Sequence, residues 1–83
     1  MPYTVSWLPG PEAALARIWN QAPDQQAVAD ASDEIDRLLG LVPTSVGVAS
    51  GSFRRLRISP LEVFYSVSLD DCRVTVTLVR FRP

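Results

Sequence analysis

The chain has 83 residues, 47% hydrophobic and 20% charged, with a formal net charge of −1, no histidine and a single cysteine. That length holds one domain, residues 1–83, and the hydrophobic share belongs to a folded globular protein rather than a disordered one. Without histidine, Ser-His-Asp and Cys-His mechanisms are excluded, and one cysteine builds neither an internal disulfide nor a zinc site of the common kind.

In chain order, Tyr3 to Leu8 alternates Tyr3, Val5 and Trp7 against Thr4 and Ser6, which predicts a strand stopped by Pro9-Gly10-Pro11. A helix is expected from about Pro11 to Gln21, with Pro11 in its first turn, Glu12 favourable to the dipole, and an apolar stripe of Leu15, Ile18, Trp19 and Ala22. Asp24 is placed to cap a second helix from about Gln25 to Leu39, ended by Gly40. Its stripe is Val28, Ala31, Ile35, Leu38 and Leu39, and on its opposite face Asp33 and Arg37 have the spacing of an i,i+4 ion pair. Leu41 to Ser52 reads as a loop with a short extended piece at Val46 to Ala49.

The last third reads as three strands, FRRLRIS, PLEVFYSVSLDD and CRVTVTLVRFRP, joined by short turns at Ser59-Pro60 and Asp70-Asp71. Alternation sends Leu56 and Ile58 inward in the first, leaving Arg55 and Arg57 outside. In the second, Leu61, Val63, Tyr65, Val67 and Leu69 face the core, opposite Glu62, Phe64, Ser66 and Ser68. In the third, Val74, Val76 and Leu78 take the core side and Thr75, Thr77, Val79 and Phe81 the other, with Arg80 and Arg82 falling at core parity. Phe64 and Phe81 are thereby expected to point away from the helices. Helices followed by a run of strands indicate an α+β fold, with the helical hairpin on one face of a mostly antiparallel sheet and the first strand beside the last.

Charge is divided along the chain. Residues 1–50 carry two arginines against six acids, whereas residues 51–83 carry six arginines against three, and lysine is absent. Every positive side chain is thus a guanidinium, the group shaped for bidentate contact with carboxylate or phosphate. Asp30, Asp33, Glu34 and Asp36 read as the solvated face of a helix, lacking the spacing of a calcium loop. Gly47 and Gly51 have no lysine or helix after them to make a phosphate loop. Asp70 and Asp71 read as turn residues, Cys72 as a small strand residue, and Tyr3, Trp7 and Trp19 as packing. No cofactor or metal is expected. No apolar run approaches the roughly 20 residues of a membrane helix, and MPYTVSW lacks the features of a signal peptide, so a cytoplasmic location with no membrane association is expected.

The wording of several segments resembles one family. A helical hairpin ending in Ile35-Asp36-Arg37-Leu38-Leu39, then Arg54-Arg55-Leu56-Arg57, then LEVFYSV before an acidic turn and a valine-rich last strand, is similar to the RelE/ParE superfamily of bacterial toxins. The resemblance covers Tyr3 to Arg82. It implies an N-terminal strand, a helical hairpin and a three-stranded antiparallel meander. It also implies a toxin of a type II toxin-antitoxin system, inhibiting growth through ribosome-dependent mRNA cleavage or DNA gyrase poisoning and neutralised by a cognate antitoxin. On that reading Arg55, Arg57 and Arg82 match catalytic basic residues, Glu62 is a candidate base, and Arg80, Phe64 and Phe81 are candidates for partner contact. Glu62 stands where the nucleases tend to carry arginine. That motivates the alternative of an interaction module, or inactive homologue, keeping partner binding alone.

Overall fold

The computed structural model describes residues 2–83. The chain runs β1 (Thr4–Trp7), α1 (Pro9–Gln21), α2 (Gln25–Leu41), β2 (Val48–Ser50), β3 (Phe53–Ile58), β4 (Leu61–Ser68), β5 (Arg73–Phe81). The five strands form one sheet in the order β1-β5-β4-β3-β2, with β1 parallel to β5 and every other pairing antiparallel. The first strand does lie beside the last. β2 adds a strand to the expected meander, close to the extended piece read at Val46 to Ala49.

Local chemistry sets the helix ends. α1 begins two residues earlier than expected because Pro9 suits a first helical position as well as Pro11, and the Glu12 amide already donates to the Leu8 carbonyl. Asp24 caps α2, its carboxylate accepting from the Ala27 amide at 3.0 Å. Gly40 does not end α2. Its carbonyl accepts the Tyr3 amide at 2.7 Å, tying the helix to the start of β1, and the helix closes at Leu41 with the Val42 amide on the Leu38 carbonyl. Arg37 pairs with Glu34 one turn back rather than with Asp33. The hydrogen bond from Arg37 holds the Glu34 carboxyl below the usual carboxylate range.

Both helices lie on one face of the sheet, α1 over β5 and α2 reaching β1, β3 and β4. The core between them is Val28, Ala31, Ile35 and Leu39 from α2 with Leu56, Leu61, Val63, Tyr65, Val74, Val76 and Val79 from the sheet, all buried. Leu15, Ile18, Leu38 and Val67 are half-buried at its margin. Tyr3 and Trp7 pack there as expected, and Trp7 Nε1 donates to Asp36 at 2.9 Å. Two other assignments do not hold. Trp19 is 44% exposed in a groove between the helices, and Leu69 is exposed in the β4–β5 connection, beyond the last paired residue of β4.

Tyr65 and Arg54 fix the loop between α2 and β2. The buried Tyr65 hydroxyl lies 2.8 Å from the Pro43 carbonyl and 3.0 Å from that of Val46. Arg54, on the helix side of β3 beside Tyr65, donates to the carbonyls of Val46 and Gly47. Gly47 is needed here, because its φ of +71° is left-handed and a Cβ would stand 2.6 Å from the Arg55 carbonyl oxygen.

Candidate functional site: a carboxylate beneath arginines on the open sheet face

The face of the sheet away from the helices is built by strand alternation, with one interruption. β4 and β5 pair Leu61–Phe81, Glu62–Arg80, Val63–Val79 and Phe64–Leu78, after which the register shifts so that Tyr65 faces Val76. Thr77 is the extra residue of a β-bulge, and it reverses the inward and outward sense of the second half of β5. Val79 is therefore buried, at 4%, and Leu78 is 45% exposed, the opposite of strict alternation from Val74.

The same reversal decides where the candidate residues go. Arg80 and Arg82 are not at core parity. They lie on the open face with Arg55, Arg57, Glu62 and Phe64. Phe81 goes the other way, sharing the side of Leu61 and lining a cavity with Ile18 and Gln21 of α1 and Ala22 just after it. The expectation that Phe64 and Phe81 share an exposed face therefore holds for Phe64 and fails for Phe81.

Glu62 is the centre of the arrangement. It sits on the middle strand, flanked by Arg57 on β3 and Arg80 on β5, and its side chain is only 5% exposed. Its carboxylate is met by three guanidiniums: Arg80 at 3.4 Å and Arg82 at 3.5 Å from Oε1, and Arg55 at 3.8 Å from Oε2. A surface ion pair between Glu62 and Arg57 is not formed. Arg57 turns instead to the carbonyl oxygens of Arg82 and Pro83, 3.4 Å from each. The three arginines that hold Glu62 are each about half exposed, so the carboxylate lies beneath them and their outer N–H groups face solvent. Arg80 also lies over the Phe64 ring, 5.1 Å from its centroid.

Chemically this is a cationic surface with a buried anion. Four arginines against one glutamate leave a local excess of three positive charges. A concavity of about 390 Å³ on this face is lined by Gly47, Val48, Arg55, Leu56, Arg57 and Arg82 together with Glu62 itself. Exposed Val48, Phe53 and Leu78 lie on the same face and give it apolar contact area. Their exposure went unread in the sequence. Leu78 and Val79 are adjacent and both apolar, so either could serve as the inward residue, and only the register shows which does. Among the described residues no group of three or more metal-ligating side chains comes together. No helix among them is long and apolar enough to cross a membrane.

No family model matches this sequence, and no curated protein matches it. Solved structures do match its fold. The toxin-antitoxin complex RelBE2 from Mycobacterium tuberculosis superposes with a TM-score of 0.78 at 15% identity, over 99% of this chain and 93% of that one. The chromosomal ParDE toxin-antitoxin system from P. aeruginosa gives 0.74 at 13% identity, over 98% and 97%. The archaeal RelE-RelB complex from Pyrococcus horikoshii gives 0.70 at 20% identity, over 99% and 97%. With nearly the whole of each chain superposed, and with β1 beside β5 under a helical hairpin, the fold of this protein is the RelE/ParE fold.

Proposed function

We propose that this chain is the toxin-like component of a type II toxin-antitoxin pair, bound by a cognate antitoxin and acting in the cytoplasm through the arginine face of its sheet. The observation that carries the reading is the convergence of Arg55, Arg80 and Arg82 within 3.8 Å of one carboxylate, on the open face of a fold shared with RelE and ParE structures. Guanidiniums so placed can neutralise a phosphate or the charge that develops on it during strand cleavage, which requires no histidine. Arg55, Arg57 and Arg82 are the candidates to hold a nucleic-acid phosphate. Phe64, with Arg80 stacked on it, is the candidate contact for a partner segment bearing acidic side chains. Phe81, on the helix side, meets only a partner that passes over the end of the hairpin.

The mRNA-on-ribosome and gyrase targets differ in which synthesis they stop. Inducing the chain alone in bacteria and pulse-labelling protein and DNA separates them. An early fall in protein synthesis indicates the ribosome, and an early fall in DNA synthesis indicates gyrase. Unaltered labelling by a soluble, folded chain supports the second reading, an interaction module that keeps partner binding alone. That reading is favoured by the carboxylate of Glu62, which lowers the charge of the cluster from within.

A further inference from the structure

We propose that Glu62 is an internal counter-anion that holds down the affinity of the arginine face for phosphate, so that the chain engages nucleic-acid backbone more weakly than its four arginines alone would. The inference deepens the reading of the same face as a phosphate-facing surface.

Three features support it. First, the carboxylate is where an incoming anion would look for its partners: Arg55, Arg80 and Arg82 all lie within 3.8 Å of it, and the adjoining concavity is lined by two of these arginines and Arg57. Second, the contacts are loose. At 3.4–3.8 Å they exceed the roughly 2.7–2.9 Å of a closed guanidinium–carboxylate pair, so the arginines are not saturated by Glu62 and keep donors for a second anion. Third, the carboxylate is buried while the guanidiniums are half exposed. Its charge acts through the protein interior, where salt screens it far less than it screens the exposed arginines. An external phosphate thus meets a cluster already part-neutralised by a charge that cannot move away. Replacing the carboxylate by an amide keeps the volume and one acceptor oxygen, and raises the local excess from three positive charges to four.

The test is fluorescence anisotropy with a labelled single-stranded RNA oligomer, across a salt series, on the native chain, Glu62→Gln, Glu62→Gln with Arg82→Ala, and Asp33→Asn. The last makes the same change in net charge on the exposed face of α2. The native chain is expected to bind weakly. Glu62→Gln should bind at least about tenfold more tightly with a steeper loss of affinity on adding salt, the added Arg82→Ala should remove the gain, and Asp33→Asn should give none. Equal affinity of Glu62→Gln and the native chain, or equal gains from Glu62→Gln and Asp33→Asn, overturns the proposal. Should Glu62→Gln fail to fold, tight binding by the native chain overturns it by itself. Growth assays on the same variants separate the two readings. A chain that arrests growth with no gain in Glu62→Gln leaves the toxin reading standing and removes the counter-anion. A gain in binding with no effect of any variant on growth does the reverse.

Discussion

The Thr77 hydroxyl donates to the carbonyl of Phe64 at 3.2 Å, across the one irregularity in the β4–β5 ladder. This contact holds the bulge that turns Val79 inward and brings Arg80 and Arg82 to the face where Arg55 and Glu62 lie. Deleting Thr77 should restore strict pairing with Val76 opposite Tyr65 and Leu78 opposite Phe64, leave Val79 inward and Arg80 on the open face, and cost the domain about 1 kcal/mol or less. Thr77→Val, which loses only the hydroxyl, should cost about 0.5–1.5 kcal/mol in urea denaturation. A deletion variant that unfolds, or loses more than about 3 kcal/mol, would mean that Thr77 is not the extra residue of the ladder.

Ile35 is fully buried between α2 and the sheet, whereas Val67 is half-buried near its end. Ile35→Ala should therefore cost about 2–5 kcal/mol, and Val67→Ala about 1 kcal/mol. In a domain this small the first change approaches the whole stability. Equal costs would contradict the placement of the core over the middle of β4.

Tyr65→Phe removes the hydroxyl at the Pro43 and Val46 carbonyls and should cost about 1–3 kcal/mol, because the Pro43 carbonyl is left unpaired in the interior. Gly47→Ala should destabilise by more than 1 kcal/mol, roughly, since it meets both a left-handed φ and the Arg55 carbonyl. Faster amide exchange confined to residues 42–50 in Tyr65→Phe is the expected signature of a released loop.

How much of this was legible in the sequence depends on whether the signal was local. Asp24 as a cap, the α2 stripe and the inward row of β4 from Leu61 to Val67 follow from spacing alone, and the structure keeps them, losing only Leu69 from the row. The placing of β1 beside β5 is the order expected above, and the structure has it, though no local signal in the sequence fixes it. The open face was not legible, because one extra residue reverses a strand and nothing in VTVTLVRF marks where the extra residue sits. Strict alternation therefore put Arg80 and Arg82 at core parity, on a strand run past the end of the core, and Phe81 with Phe64. Glu62 reads in the sequence only as a candidate base. Its burial comes from three long side chains converging over it from β3, β5 and the residue after β5, a non-local fact.

If the arginines of the open face carry the activity, growth after induction shows it. Removing Arg55, Arg80 and Arg82 alone would strand a buried carboxylate, so the comparison is the native chain against Arg55→Ala, Arg80→Ala and Arg82→Ala combined with Glu62→Gln. With both chains soluble and cooperatively folded, the native chain should arrest growth and the combined variant should leave the culture doubling at the uninduced rate. Arrest by both to the same extent, or by neither, would contradict the account.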